Sequence, residues 1–310
     1  MPTLLFRSPS DPAERWRTAL QAELPDLRVR VWPDTGDPGA VEYALVWASP
    51  DRMLHELPNL RAVFSLGAGV DHLMGPAVPD HLPLVRMVDP ALTEGMVEYI
   101  VYHVLRRHRR MDEYERQQSA REWVVHDQVR PGDRRIGILG VGQLGSACAR
   151  TLDALGFDIA GHVRTPRAES SGIPLYAGTG QFADFLSRSD ILVCLLPLTD
   201  ETRGILNRDI FDHLPAGAVL INAARGAHLV EEDLLIALGE GRLSHAVLDT
   251  FREEPLPAGH AFWRHPHITL TPHIASLTNP ETGARQVAAA IRAEQAGEPL
   301  PNTVDRERGY

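Results

Sequence analysis

A glycine pattern at Gly140, Gly142 and Gly145 constrains the fold of this chain more than any other feature. The apolar run from Ile136 to Leu139 predicts a buried strand before it, and a helix is predicted from about Gln143 to Leu155. The first glycine allows a sharp turn, the second lets a pyrophosphate approach the backbone, and the third allows close helix–strand packing. The positive end of the helix and its amides then face the phosphates. The pattern therefore predicts dinucleotide binding rather than an ordinary strand–turn–helix.

Strand and helix patterns alternate along the chain, which predicts parallel sheets covered by helices on both faces. A long helix pattern over residues 91–109 is of the kind that joins two such units, and residues 131–133 break the chain before the glycine motif. We predict an α/β fold of two doubly wound parallel-sheet domains with a cleft between them. A flavodoxin-like substrate domain should comprise residues 1–95 and 281–310, and a Rossmann NAD(P)-binding domain residues 96–280.

The other elements follow from local patterns. Asp11 and Pro12 predict a helix that starts with an aspartate N-cap. Strands are predicted at residues 3–7, 27–32, 41–47, 61–66, 84–88, 158–163, 190–196, 218–223, 245–249 and 267–271. Further helices are predicted at residues 182–186, 231–238 and 282–296, with a short one ending at Leu54.

Composition limits the classes of partner. The chain has 310 residues, with 31 Lys and Arg against 41 Asp and Glu, so its net charge is −10. This charge argues against nucleic acid or an anionic membrane as the main partner. We find no apolar run long enough for a membrane span, and the apolar start is too short for a signal peptide. Cys148 and Cys194 are expected to be buried thiols in a reducing compartment, and we predict a cytoplasmic protein.

The loop after Val163 bears on the choice of dinucleotide. An Asp or Glu about twenty residues after the glycines usually binds the ribose 2′-hydroxyl. This loop has no carboxylate at that place and offers Arg164, Thr165 and Arg167 instead. Two guanidiniums and a hydroxyl suit a 2′-phosphate, although a solvated basic loop would contain the same residues. We predict that NADP(H) is preferred and that NAD(H) is possible.

Three further side chains, Arg225, Glu254 and His273, each follow a predicted strand, and the strand ends of a doubly wound sheet share one crevice. Together they could reduce a 2-keto acid: Arg225 would bind the substrate carboxylate in a planar fork. His273, as imidazolium, would donate a proton to the keto oxygen, and Glu254 would hold the ring and favour its charged form. With 14 histidines in the chain, any one of these residues alone is more often structural or solvated.

A series of motifs extends from Phe64 to the end of the chain. They are Leu66-Gly67-Ala68-Gly69-Val70-Asp71, the glycine turn at 140–145, Leu196-Pro197-Leu198-Thr199, Asn222-Ala223-Ala224-Arg225-Gly226, Leu248-Asp249-Thr250-Phe251 with Glu254-Pro255-Leu256-Pro257, Thr271-Pro272-His273-Ile274-Ala275, and the closing 304–310. In order and spacing the chain resembles the D-isomer-specific 2-hydroxyacid dehydrogenases. Within that family it looks most like the bacterial glyoxylate/hydroxypyruvate reductases of type A.

The resemblance implies that Arg225, Glu254 and His273 are the catalytic set. It also implies that the amides near Ala68 and Gly69 bind the substrate carboxylate, whereas the glycines there by themselves favour a plain turn. Trp47 and Trp123 look like pocket-wall residues of the type A group, with ordinary packing as the alternative. The predicted substrate contacts are Trp47, Ala68, Gly69 and Arg225. The predicted cofactor contacts are Gly140, Gly142, Gln143, Leu144, Gly145, Arg164, Thr165, Arg167, Leu196, Pro197, Ala223, Asp249 and His273, with Asp249 on the nicotinamide carboxamide.

The expected activity is NADPH-dependent reduction of a small 2-keto acid, such as glyoxylate or hydroxypyruvate, to the 2-hydroxy acid. The alternatives are a bulkier keto acid, a preference for NADH, or a dinucleotide-sensing scaffold of the same fold. The resemblance also suggests a homodimer, in which the helix at 91–109 and the charged segment after it form the shared face.

Overall fold

The computed structural model describes residues 1–49, 52–166 and 172–309. The chain divides into two compact units, the first made of residues 1–92 and 277–310 and the second of residues 93–276. Each unit contains a parallel sheet, five-stranded in the first and seven-stranded in the second. The predicted α/β class with two doubly wound parallel sheets is confirmed.

The elements are named in chain order. The strands are β1 (Thr3–Arg7), β2 (Arg28–Val31), β3 (Val41–Val46), β4 (Ala62–Ser65), β5 (Leu84–Val85), β6 (Arg135–Leu139), β7 (Asp158–Val163), β8 (Leu175–Ala177), β9 (Ile191–Cys194), β10 (Ala218–Asn222), β11 (Leu243–Leu248) and β12 (Ile268–Leu270). The helices are α1 (Ala13–Glu23), α2 (Pro90–His108), α3 (Met111–Ala120), α4 (Gln143–Ala154), α5 (Phe182–Ser187), α6 (Arg208–His213), α7 (Glu231–Gly239) and α8 (Pro280–Gln295).

The sheet of the first unit has the order β2-β1-β3-β4-β5, which is the flavodoxin-like order. The inner strands β1, β3 and β4 are largely apolar on both faces because both faces are covered, whereas the edge strand β2 alternates arginine and valine. Leu4 and Phe6 of β1 pack with Trp16 of α1 and with the apolar side of α8. Leu5 points to the opposite face, which residues 53–57 and 70–78 cover.

The sheet of the second unit has the order β12-β11-β10-β9-β6-β7-β8. This is the Rossmann order with one further parallel strand beside its sixth. Ile136 and Ile138 of β6 pack against α2 and α4 on one face. Leu139 of the same strand belongs to the core on the other face, which α5, α6 and α7 cover. The strand order reverses between β6 and β9, and open sheets of this kind bind ligands beyond the strand ends at such a point.

Local predictions fail in a few places. Pro12 rather than Asp11 is the N-cap residue of α1, and the Asp11 carboxylate accepts a hydrogen bond from the Ser8 hydroxyl instead. Two short elements, β8 and α6, were not expected, and α3 forms within a segment predicted only to be charged.

Cys148 and Cys194 are free and buried, and burial raises the pKa of each thiol to about 12. Among the helices of the described ranges, none has both the length and the apolar character that crossing a membrane requires.

Candidate active site

The glycine turn joins β6 to α4 and leaves room beside the first amides of the helix. Gly140 has φ +92°, and a Cβ there would lie 2.6 Å from the carbonyl oxygen of Leu195. A Cβ on Gly145 would lie 2.1 Å from the carbonyl oxygen of Gly140, so both positions require glycine. A Cβ on Gly142 would meet nothing within 4 Å. This open space at a helix N-terminus fits a dinucleotide pyrophosphate.

Other predicted cofactor contacts lie at the same edge of the seven-stranded sheet. Since β6 lies between β7 and β9, the loops after those two strands flank the glycine turn. The β9 loop contains Leu196 and Pro197, and the β7 loop contains Arg164 and Thr165. Ala223, directly after β10, is 7% exposed. The structure thus brings these side chains to the carboxyl ends of adjacent strands.

The basic loop after β7 contains an ion pair. The Nη1 atom of Arg164 lies 3.1 Å from Oε2 of Glu201, and the two side chains are 57% and 70% exposed. Glu201 follows the β9 loop, so this pair joins the loops on either side of the glycine turn. Thr165 is exposed next to Arg164. The prediction for Arg167 lies outside the described residues.

Arg225 follows β10 in a turn that a buried asparagine supports. The side chain of Asn222, 0% exposed, donates to the carbonyl oxygen of Arg225 at 3.0 Å and accepts from the amide of Ala224 at 3.2 Å. Gly226 then allows close packing, because a Cβ there would lie 1.9 Å from the carbonyl carbon of Phe251. The loops that contain Arg225 and Glu254 therefore pack directly on each other.

Glu254 and His273 form a hydrogen-bonded pair. Oε2 of Glu254 lies 2.8 Å from Nδ1 of His273, and its Oε1 accepts from the amide of Phe251 at 2.8 Å. Burial raises the pKa of Glu254, but the hydrogen bonds from His273 and Phe251 and the nearby charge of Arg225 outweigh it and hold the pKa below its ordinary value. Because an ionised carboxylate only accepts, Nδ1 of His273 donates, and Nε2 is the nitrogen that can exchange a proton with another molecule.

Asp249 lies beneath the His273 loop and is 1% exposed. Its Oδ1 accepts from the amide of Ile274 at 2.9 Å and from the hydroxyl of Thr271 at 2.6 Å, and its Oδ2 accepts from the amide of Ala275 at 2.8 Å. The carboxylate therefore anchors this loop, and its remaining acceptor capacity is compatible with the predicted contact to a carboxamide.

The predicted substrate contacts of the first unit lie after β3 and β4. The Trp47 ring lies on the backbone of Gly67, where a Cβ would approach Cζ3 of the ring to 2.5 Å. The centre of the same ring lies 4.4 Å from that of His72. Within the described part of the chain, no acceptor pairs with the amides of Ala68 and Gly69. Two such amides fit a small carboxylate.

Sequence reasoning missed two residues of the second unit, Glu201 and Tyr99. No sequence pattern pointed to Glu201, because its ion pair with Arg164 joins two separate loops. Tyr99, on α2, has its hydroxyl 2.7 Å from that of Thr271. The Thr271-Pro272-His273 motif pointed to the end of β12, but not to a partner 172 residues away.

Comparison with known proteins agrees with this geometry. A family model described as D-isomer specific 2-hydroxyacid dehydrogenase, NAD binding domain, matches residues 101–275. Glyoxylate/hydroxypyruvate reductase A of Serratia proteamaculans is 44% identical over 99% of this chain and 99% of its own length. The protein of that name from Yersinia enterocolitica is 42% identical, again over 99% of each chain.

Two solved structures are also similar. A D-isomer specific 2-hydroxyacid dehydrogenase from Xanthobacter autotrophicus, in complex with NADPH and MES, has a TM-score of 0.94 and 41% identity over 99% of each chain. The NADPH-dependent glyoxylate/hydroxypyruvate reductase from Sinorhizobium meliloti, in complex with NADP and sulfate, has a TM-score of 0.92 and 36% identity. That match covers 100% of this chain and 99% of the other.

Fold and site together define an oxidoreductase with a Rossmann dinucleotide-binding domain. The chain belongs to the D-isomer specific 2-hydroxyacid dehydrogenase family. Its full-length similarity to glyoxylate/hydroxypyruvate reductases of type A confirms the resemblance seen in the motifs, and the predicted class of enzyme is confirmed with it.

Proposed function

We propose that this protein catalyses the NADPH-dependent reduction of a small 2-keto acid, glyoxylate or hydroxypyruvate, to the 2-hydroxy acid. The observation that supports this most directly is the Glu254–His273 pair at 2.8 Å, in which the loop of Glu254 packs against the Arg225 turn. The names of the full-length relatives support the substrate class. The NADPH and NADP complexes of two similar structures support the cofactor.

In this proposal the side chains have separate tasks. Nicotinamide chemistry supplies a hydride to the keto carbon when the cofactor is bound. His273 donates the proton at Nε2 to the keto oxygen, while Glu254 holds Nδ1 and stabilises the imidazolium. Arg225 binds the substrate carboxylate with its planar guanidinium. The amides of Ala68 and Gly69 are the proposed further contacts of that carboxylate, and Trp47 is a proposed wall of the substrate pocket.

The chain's own residues would hold the cofactor along the edge described above. Within the described ranges, no acceptor pairs with the amides of Gln143 and Leu144, the first two of α4, so both can donate to a pyrophosphate. Arg164, with Thr165 and Arg167, would bind the 2′-phosphate by charge-assisted hydrogen bonds. Leu196, Pro197 and Ala223 would line the rest of the edge.

The homodimer and the cytoplasmic location belong to the same proposal. An exposed apolar segment after α3, with Trp123 97% exposed, supports association with a second copy. Two free cysteines favour a reducing compartment such as the cytoplasm.

Initial rates with glyoxylate and hydroxypyruvate, each with NADPH and NADH, test the proposed reaction. We expect rapid NADPH oxidation with at least one of the acids. Activity with NADH alone would overturn the cofactor preference. Tight NADPH binding without turnover of any 2-keto acid would favour the alternative function, a dinucleotide-sensing scaffold of the same fold. His273→Ala should abolish turnover while NADPH binding, followed by fluorescence, is retained.

A further inference from the structure

We infer that Tyr99 and Thr271 are positioning residues for the proton donor, and that they act by fixing Asp249 and through it the backbone of His273. This inference rests on the proposed role of His273. The observation behind it is a continuous line of hydrogen bonds from helix α2 to the loop after β12.

Asp249 contacts the His273 loop on both sides of the histidine. Its carboxylate accepts from the Thr271 hydroxyl at 2.6 Å before the histidine, and from the amides of Ile274 at 2.9 Å and Ala275 at 2.8 Å after it. Its carbonyl oxygen accepts from the amide of His273 itself at 2.8 Å. One buried residue therefore determines the path of the backbone through His273.

The hydrogens available on each group determine which atom donates and which accepts in this series of hydrogen bonds. The ionised Asp249 carboxylate only accepts, so the single hydroxyl hydrogen of Thr271 points to it. The Thr271 oxygen can then only accept from Tyr99, whose hydroxyl lies 2.7 Å away. Burial raises the pKa of Tyr99, and the charge of Asp249 raises it further, so the phenol keeps the proton that it donates.

His273 needs this support because its φ is +54°. A left-handed conformation is unfavourable for a residue with a Cβ, so it persists only where neighbouring contacts enforce it. Relaxation toward ordinary φ values would rotate the imidazole away from Glu254. Loosening Asp249 should therefore weaken the Glu254–His273 pair, although Tyr99 and Thr271 themselves are not among the proposed substrate or cofactor contacts.

The test uses conservative changes and a matched control. Tyr99→Phe and Thr271→Val each remove one hydroxyl and keep the size of the side chain. Thr271→Ser keeps the hydroxyl. Tyr102→Phe, on the same helix and 55% exposed, is the control. The kcat with glyoxylate, the KM for NADPH and the thermal midpoint are measured for each variant.

We expect Tyr99→Phe to lower kcat about threefold and Thr271→Val to lower it at least about tenfold, because small misplacements of a reacting group are costly. The KM for NADPH should stay within about twofold, because the proposed pyrophosphate and 2′-phosphate contacts are unchanged. Thr271→Ser and Tyr102→Phe should behave like the wild type.

Two results would overturn the inference. One is wild-type kcat in both Tyr99→Phe and Thr271→Val. The other is a loss in Thr271→Ser as large as in Thr271→Val. Failure of the proposed function looks different, because His273→Ala would then retain turnover. If His273→Ala abolishes turnover and the hydroxyl variants are neutral, only the positioning inference fails.

Discussion

At the scale of single residues, the negative charge of Glu254 determines the pH range over which its pair with His273 is intact. Its lowered pKa keeps the carboxylate ionised at neutral pH, next to an imidazole that must be charged to act as an acid. A lowered pKa gives stability that is present above the ordinary pKa of the carboxyl and is lost as the pH falls through the lowered value. The pair therefore remains intact over the neutral range, where we expect reduction to occur.

We predict that Glu254→Gln lowers kcat at neutral pH at least about tenfold, the scale of effect expected when a proton-transfer residue loses its charged partner. Glutamine can still accept from Nδ1 of His273, but it lacks the negative charge that the ionised carboxylate places beside the ring. Steady-state rates with saturating glyoxylate and NADPH measure the loss, and the thermal midpoint shows whether the variant is folded. Wild-type kcat in Glu254→Gln would refute the electrostatic role of Glu254.

The second prediction concerns Arg225, which we propose binds the substrate carboxylate. Arg225→Lys should raise the KM for glyoxylate at least about tenfold, because an ammonium cannot reproduce the two-pronged contact of a guanidinium. The KM for NADPH should change little. Arg252→Lys, on the neighbouring loop and exposed, is the matched control. Near-normal glyoxylate kinetics in Arg225→Lys would contradict the assignment.

The third prediction uses the pair of Arg164 and Glu201. Arg164→Ala should raise the KM for NADPH about tenfold and leave that for NADH unchanged, since only NADPH has the 2′-phosphate. Glu201→Gln removes a carboxylate that competes for Arg164, so it should lower the KM for NADPH about twofold; exposed pairs are weak. Both KM values are compared in parallel assays. Equal effects on the two cofactors would exclude Arg164 as a 2′-phosphate ligand.

At the scale of elements, the predictable parts were those with an apolar pattern of their own. The core strands β6, β9 and β10 are buried on both faces, and their apolar runs showed this directly. The edge strand β8 has three half-buried residues and exists because it pairs with β7. Helix α3 has no buried residue, so its sequence lacks an apolar periodicity; ion pairs such as that between Asp112 and Arg106 attach it to α2.

The site divides in the same way. The proximity of Arg225, Glu254 and His273 could be predicted because each follows a recognisable strand, and parallel strands end at a common edge. Their catalytic role was implied by the family resemblance and stays a prediction. The contacts that hold these residues in place could not be predicted. The contact of Tyr99 with Thr271 joins a helix to a strand end far along the chain, and the side chain of Asn222 closes its turn only after β10 has packed. Such contacts depend on tertiary structure and leave no local pattern.

Packing between α2 and β11 leads to a fourth prediction, on acid stability. Burial lowers the pKa of His245 to about 3 and that of His103 to about 4, with nearby arginines adding to the effect. At a pH below the ordinary pKa of histidine, these two side chains bind protons in the unfolded chain but not in the folded chain. Stability should therefore fall as the pH drops from 6.5 toward 4, by up to about 2 kcal/mol for each histidine at about pH 5.

Thermal midpoints at several pH values measure this loss. His245→Gln removes one titrating group and keeps a possible hydrogen bond to Thr269, so its midpoint should depend less steeply on pH than that of the wild type. His81→Gln replaces an exposed histidine and should leave the slope unchanged. An identical slope in the wild type and His245→Gln would contradict the assignment.

At the scale of the whole molecule, the segment 121–130 stands out because it exposes apolar side chains. Trp123 is 97% exposed and Val125 is 83% exposed, with Val124 at 49% and Val129 at 39%. Contiguous exposed apolar surface of this kind usually marks an interaction site. The segment contains two arginines and two carboxylates, Arg121 and Arg130 against Glu122 and Asp127, so two copies of it do not repel each other. A second copy of the chain is the partner that we propose.

The fifth prediction follows from this surface. The wild type should have twice the chain mass by light scattering, and Trp123→Asp combined with Val125→Asp should shift it to a monomer, because burying two carboxylates in an apolar interface is unfavourable. Trp263→Asp, at a tryptophan 54% exposed elsewhere in the second unit, should remain dimeric. Far-ultraviolet circular dichroism should match the wild type in all variants, since the substituted side chains are exposed. A dimer that survives the double substitution would place the interface elsewhere, and a monomeric wild type would overturn the proposed assembly.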